Sequence, residues 1–327
     1  MKLSTTMRPF LGGLLMAFAA FSAVVQAQTW QPGQTIKIVV PFTPGTGMDT
    51  IARTVSPKLA ERLGQPVIVQ NTPGASGNIG ADAVAKSAGD GYTVLMGANT
   101  MLIAAQLYKN VPFNPLDDFS SVSMAAYGTL MLVANPKTGI KSVKELVAAA
   151  KAKPGFFSYG SPGIGTPHHM AMELFKSEAG IFMLHVPYKG TAGYVQDLLG
   201  GELQVGFLPV HVAQGFVNAG KLNALAVGSP KRNPAAPNVA TLSELGMKGL
   251  NVDMWYAFFV PSKTPAPVVN RLNTEIAAIM KLPEVKAVLT KAGLDAESST
   301  PAELKTVVGA DYKRWGAVIK RNSIVAE

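Results

Sequence analysis

The chain has 327 residues, 48% of them apolar, and 29 lysines and arginines against 20 aspartates and glutamates, a formal net charge of +9. It has no cysteine, which excludes disulfides, thiol nucleophiles, cysteine metal sites and an acylated lipoprotein cysteine. The positive charge is scattered, and its densest stretch, Lys141 to Lys153, lacks interleaved arginine and aromatic residues, so it reads as a solvated helix face rather than a nucleic-acid surface.

In chain order, Lys2 and Arg8 precede an apolar run from Phe10 to Val25 and the small-residue site Val25-Gln26-Ala27. The run is shorter than the roughly 20 residues of a membrane span and is followed at once by polar sequence, the pattern of a cleaved export signal. Residues 1–27 are therefore expected to leave after Ala27, giving a periplasmic protein whose charge falls to +7 without Lys2 and Arg8.

Ile36 to Val40 has the β-branched composition of a buried strand, Pro41 to Gly47 (PFTPGTG) cannot continue it, and a helix is expected from Asp49 to Leu63. Such a loop presents free amides at the positive end of a helix, the arrangement that binds anions. A strand at 66–69, a loop at 73–77, a helix at 79–86 and a strand at 93–96 complete a βαβαβ order. That order predicts a doubly wound parallel sheet whose ligands lie beyond the carboxyl ends of its strands, here including Gly97 to Thr100.

The same signals recur. A helix at 143–152 ends at Pro154-Gly155, a strand at 156–159 enters GSPGIGTPHH (Gly160 to His169), and a helix follows to Ala179. A strand at 185–188 then meets Lys189-Gly190-Thr191-Ala192 before a helix from Gly193 to Gly200. The mature chain is longer than one core usually organises, so two α/β lobes facing each other across a ligand cleft are expected.

Enzyme chemistry has little support. Thr50 stands where a dinucleotide fingerprint needs its third glycine, and the sequence holds no Gly-Lys-Ser/Thr phosphate loop and no G-x-S-x-G elbow. Adjacent His168 and His169 lack the i, i+4 spacing of a helical metal site. No catalytic residue, metal or cofactor is expected.

The segments VPFTPGTGMDTIAR, LGQPVIVQNTPGASGNIGADAVAKS, DGYTVLMGANT, SYGSPGIGTPHHMAMELFKSEAG, HVPYKGTAGYVQDLLGGELQVGF and GKLNALAVGSPKR follow one another as in the Bug family, which the chain resembles from Thr35 to about Lys320. These are TctC-like periplasmic receptors of tripartite tricarboxylate transporters. The resemblance implies a type II periplasmic-binding-protein fold, with lobe one formed by 28–122 plus 256–327 and lobe two by 123–255. Crossings are expected at Ser123–Val133 and Val252–Val260.

It further implies capture of a small organic carboxylate, such as a di- or tricarboxylate or terephthalate, and delivery by a monomer to the permease subunits. A ligand-carrying component of a sensor system is the alternative, and a periplasmic hydrolase a third reading. The ligand loop carried over to lobe one is Phe42, Thr43, Pro44, Gly45, Thr46, Gly47 and Met48. In lobe two it is Ser161, Gly163, Gly165, Thr166 and His169, with Asn99, Lys189 and Leu208 added at the rims.

Asp49 is read as a helix N-cap, His168 as solvent-exposed, His185 as a strand residue and His211 as a residue outside the cleft, with tipping into the cleft after Pro209 as the alternative. Lys189 reads as a solvated turn lysine placed to attract anions. Ile164 and Leu208 replace residues that are often Asn and Asp in the family, which makes the pocket less polar and disfavours a ligand carrying ammonium. Tyr159, Phe207 and Trp255 are read as ordinary core residues, each with a place in an apolar wall as the alternative.

Overall fold

A computed structural model describes residues 1–2, 30–188, 190–248, 250 and 252–325. The export signal and its cleavage site thus lie outside the described residues except for Met1 and Lys2, and Lys189 lies outside them as well. From the start of the described fold, β1 (Ile36–Val40) leads through the proline-glycine loop to α1 (Gly47–Leu63), and β2 (Val67–Asn71) follows. A short 3-10 turn opens α2 (Asn78–Ala85), and then come β3 (Thr93–Ala98), α3 (Thr100–Leu107) and the long β4 (Phe119–Gly128).

Past Thr129 the chain enters β5 (Leu130–Ala134), α4 (Val143–Ala152), β6 (Ser158–Ser161) and α5 (Pro167–Ala179). Next are β7 (Leu184–Pro187), α6 (Thr191–Gly200), β8 (Val205–Pro209), α7 (Val210–Asn218) and β9 (Asn223–Val227). It returns through β10 (Met254–Pro261) to α8 (Ala266–Met280), α9 (Pro283–Lys291), β11 (Leu294–Ala296) and α10 (Pro301–Arg321).

The strands form two sheets, one in the order β11-β4-β10-β3-β1-β2 and the other β7-β6-β8-β5-β9. β2, β1 and β3 pair in parallel, as do β7, β6 and β8, whereas β10 is antiparallel to both β3 and β4, and β5 to both β8 and β9. This is the expected two-lobed α/β architecture. The parallel strands need helical crossovers, which cover both sheet faces. β10 is buried along its whole length in the centre of its sheet.

The core explains several departures from the sequence reading. α3, α7 and α9 were not foreseen: α3 is apolar around most of its circumference, with six of its eight residues buried, so it carries little amphipathic period to read. α1 starts at Gly47, two residues before the expected Asp49, because Thr46 is the N-cap.

The two sheets are brought together by polar contacts as well as by a shared apolar cluster. Ser76 Oγ donates to Ile164 O at 2.8 Å, and the Tyr108 hydroxyl donates to the same carbonyl at 3.2 Å. Gly165 lies so close to α3 that an added Cβ would stand 3.0 Å from Leu107 Cδ1.

Candidate functional site

In lobe one, Gly45 takes a left-handed φ of +86°, and the chain then turns into α1. Thr46 Oγ1 accepts the Asp49 amide at 3.4 Å, so Asp49 is the third helical residue and not the cap expected from sequence. The buried Asp49 carboxylate instead accepts from the Gly45 amide at 3.0 Å, from Arg53 Nε at 3.0 Å and from Asn71 Nδ2 at 2.9 Å. Asn71 Nδ2 also donates to Phe42 O at 3.0 Å. Burial pushes the Asp49 carboxyl up, but the hydrogen bonds from Arg53, Gly45 and Asn71 and the guanidinium charge outweigh it and hold the group below the ordinary carboxylate range.

The loop is thus held from behind, and the Gly45 amide is already engaged. The amides of Gly47 and Met48, the first two helical residues, have no intrahelical partner by helix geometry.

In lobe two, Ser161 Oγ donates to Gly163 O at 2.9 Å and accepts the Gly163 amide at 3.2 Å. It also lies 2.7 Å from His185 Nε2, within hydrogen-bond distance. Thr166 Oγ1 donates to Gly163 O at 2.7 Å, and the Gly165 amide donates to His169 Nδ1 at 3.2 Å.

His169 stacks on His185 with centroids 4.1 Å apart, and His185 stacks on Tyr159 at 4.8 Å. The Tyr159 hydroxyl donates to Glu173, which Lys176 also contacts at 2.6 Å. Burial is the main cause that depresses both imidazoles: His169 falls to about 4, with the Lys176 charge adding to it, and His185 to about 3. This neutral stack supports the loop from beneath, so His185 is more than a strand residue.

Between the lobes lies a cavity whose wall, among the described residues, comes from the first turns of five helices and from β10. Gly45, Thr46, Gly47 and Met48 represent α1 and its loop, with Phe42 beside them; Thr100 represents α3 and Ala98 the end of β3. Thr166, Pro167 and His168 come from α5, with Pro162 before it, and Thr191 from α6. Pro209, His211 and Val212 come from the start of α7, and Met254 and Tyr256 from β10. Every one of these helices follows a strand whose carboxyl end faces the cavity, the placement that doubly wound sheets give their ligands. No lysine, arginine, aspartate or glutamate is among the described lining residues.

Of the residues expected at the site, Phe42, Gly45, Thr46, Gly47, Met48 and Thr166 share this cavity. Thr43 and Gly163 line an adjoining groove together with Ser76, Tyr108, Ile164 and Tyr188. Pro44 lines neither. Ser161, Gly165 and His169 build the loop without forming the cavity wall. Asn99 is buried behind α3, and Leu208 is fully buried in the apolar cluster of lobe two with Met131 and Tyr194. Ile164 presents its carbonyl to lobe one rather than its side chain to the cavity.

His168, expected in solvent, is 7% exposed and lines the cavity. Among the aromatic candidates, Tyr159 and Phe207 are core, and Trp255 donates to Asp311 Oδ2 at 2.9 Å on the far side of β10. Its neighbour Tyr256 faces the cavity because adjacent strand residues point to opposite faces, and its hydroxyl packs against Gly47, where an added Cβ would stand 2.8 Å from that oxygen. His211 reaches the wall by the alternative raised from Pro209, whereas the signal for Tyr256 and Thr191 is positional: each lies near an element end facing the cleft.

The family model described as "Tripartite tricarboxylate transporter family receptor" matches residues 51–324. The protein BugT of Bordetella pertussis is 34% identical over 310 residues, 94% of this chain and 95% of that protein. The R. palustris protein Rpa4515, solved with adipate, superposes with a TM-score of 0.85 at 31% identity, covering 90% of this chain and 99% of that one. MatC from Rhodopseudomonas palustris, solved with bound malate, gives 0.82 at 27% identity over 88% and 99%. The chain belongs to the tripartite tricarboxylate transporter receptor family, whose members are periplasmic solute-binding proteins and not enzymes.

Proposed function

We propose that this chain is an exported receptor that closes its two lobes on a small organic carboxylate and delivers it to the membrane subunits of a tripartite transporter. The observation that carries the reading is the cavity wall: first turns of five helices, with orphan amides at Gly47 and Met48, and no charged side chain among the described lining residues. Aligned helix dipoles and free amides favour an anion there without a lysine or arginine. Relatives solved with adipate and malate bind acids of this class.

Export would follow cleavage after Ala27. Closure would bend the chain where it leaves one sheet and enters the other, between β4 and β5 and just before β10, dividing 28–122 with 256–327 from 123–255.

The preference for a ligand without ammonium now rests on the absence of a carboxylate among the described lining residues, not on Leu208 or Ile164. Phe42, Met48, Val212, Met254 and the ring of Tyr256 supply an apolar middle suited to an aliphatic or aromatic acid body.

Thermal-shift screening followed by calorimetry against succinate, adipate, terephthalate, citrate, glutamate and aspartate tests this. A ligand at 100 times its dissociation constant should stabilise the fold by about 2.7 kcal/mol. Tightest binding to an amino acid, or recovery of a chemically altered ligand, would overturn the reading.

A further inference from the structure

The amides of α1 offer one anionic end of the ligand a seat, and the opposite wall carries a different chemistry. His168, the second residue of α5, is buried and lines the cavity, yet neither of its ring nitrogens has a hydrogen-bond partner in the protein. His211, the second residue of α7, lines the same cavity, and its buried Nδ1 is likewise unpartnered. Buried polar nitrogens left unpaired cost about 1–3 kcal/mol each, a cost that a ligand oxygen placed between them would relieve. The His211 ring also acts electrostatically on His168.

We propose that His168 and His211 form a second acid pocket within the cleft, which receives the distal carboxylate of a dicarboxylic acid and takes up a proton from solvent as it does so. The inference rests on the receptor reading above and narrows its ligand class to diacids. The proton follows from charge balance: the amide seat accommodates one carboxylate by dipoles, but a second anion, with no lysine or arginine among the described lining residues, needs a cation. Imidazolium is the one the described wall can supply. Before ligand arrives the pair is neutral, His168 lowered to about 3 by burial and by His211, and His211 to about 4 by burial.

On the surrounding elements, Glu173 of α5 pairs with Lys176 and Asp49 of α1 is held by Arg53, while the Asp253 carboxyl before β10 is pushed up to about 6 by burial, against the Arg314 charge and with Asp295 adding to it. The turn between α9 and β11, whose Gly293 lies against His211, is flanked by Lys291 and Asp295. Tyr256 shares the cavity with its hydroxyl proton held in place by burial.

The test is calorimetry of the full mature chain with succinate, glutarate and adipate, each paired with its monoacid of equal length, butyrate, valerate and hexanoate. In at least one pair the diacid should bind about tenfold tighter or more, a difference of ~1.4 kcal/mol. Titration in two buffers of different ionisation enthalpy should show net proton uptake for the diacid only, and its affinity should rise as pH falls from 8 to about 6.

His168→Phe and His211→Phe should each shrink the diacid-over-monoacid ratio from about tenfold toward one, whatever they do to the affinity common to both acids. His168→Gln, which keeps a hydrogen-bonding group but cannot be charged, should keep part of the affinity and lose the uptake. A folded double phenylalanine variant that still prefers the diacid would overturn the pocket, as would wild-type protein binding both members of every pair equally or taking up no proton. If no acid of any kind binds, this inference and the receptor reading fall together; if acids bind without the pairwise preference, this one falls alone.

Discussion

The two loops that face each other across the cleft do the same job with different physics. The lobe-one loop, Phe42 to Gly47, is tied to a buried aspartate that is itself paired with Arg53, whose side chain is about half exposed (53%). The lobe-two loop, Ser161 to Thr166, rests on neutral buried groups: a serine bonded to His185, two stacked imidazoles, and threonine and glycine bonds to Gly163 O and His169. One loop depends on charge and the other on the absence of charge. Loops of similar backbone role should therefore fail under different conditions, and that contrast can be broken or sharpened by experiment.

The largest expected effect is in acid. His168, His169, His185 and His211 all belong to lobe two and all have folded pKa values lowered to about 3 or 4, below the usual value for histidine. The unfolded chain binds these protons first, so stability falls as pH drops from about 6.5 toward 4, each proton contributing about 1.4 kcal/mol per pH unit. For Asp49 the sign gives a different window. Its folded pKa lies below the ordinary value of 3.8, so its contribution is complete above that pH and is lost only as pH falls further. Denaturant unfolding of ligand-free protein between pH 7 and 4 should show a steep loss, and a flat profile there would break the comparison.

Asp49→Ala comes next. It leaves the Gly45 amide and one of the two Asn71 Nδ2 hydrogens without their acceptor, although Arg53 can turn to water, and should cost about 2–4 kcal/mol by urea unfolding. Unlike the lobe-two scaffold, this loss should persist unchanged at pH 5.

Gly47→Ala tests the meeting point of loop and cavity. A Cβ there would stand 2.8 Å from the Tyr256 hydroxyl and 3.0 Å from its ring carbon Cζ, and Tyr256 is buried with little room to retreat. Acid binding should weaken about tenfold, ~1.4 kcal/mol, while α1 remains formed, which circular dichroism can follow. Gly45→Pro, by contrast, removes a donor to Asp49 and should act first on stability.

The smallest effect belongs to the bridge between lobes. Ser76→Ala removes one neutral hydrogen bond to Ile164 O, worth about 0.5–1.5 kcal/mol, and Tyr108 still donates to that carbonyl. Scattering should show a modestly larger mean radius without ligand and normal closure with it. No change in either state would mean that the bridge does not hold the lobes together.

Much of the fold was legible because its signals are local. The strand at Ile36–Val40 and the helix at Val143–Ala152 were placed at their observed limits, since β-branched runs and Pro154-Gly155 after the helix act over a few residues. The glycine-rich loops were read as helix-opening turns for the same reason, and the order of motifs identified the family. α3, buried around most of its circumference, gave no such signal.

What the sequence could not decide was which side of each element meets the cleft. Trp255 and Tyr256 are equally aromatic neighbours, and only the pairing of β10 with β3 and β4 turns Tyr256 to the cavity and Trp255 to Asp311. His168 and His169 are adjacent on α5, and the packing of the lobes sends His168 to the wall and His169 into the stack beneath the loop. Leu208 looked like a wall residue until β8 took its place between β6 and β5 and buried it. Periodicity states that neighbouring side chains diverge, by half a turn on a strand and about 100° on a helix, but not which of them points inward. That choice is made when distant segments, joined by no local rule, close around the same space.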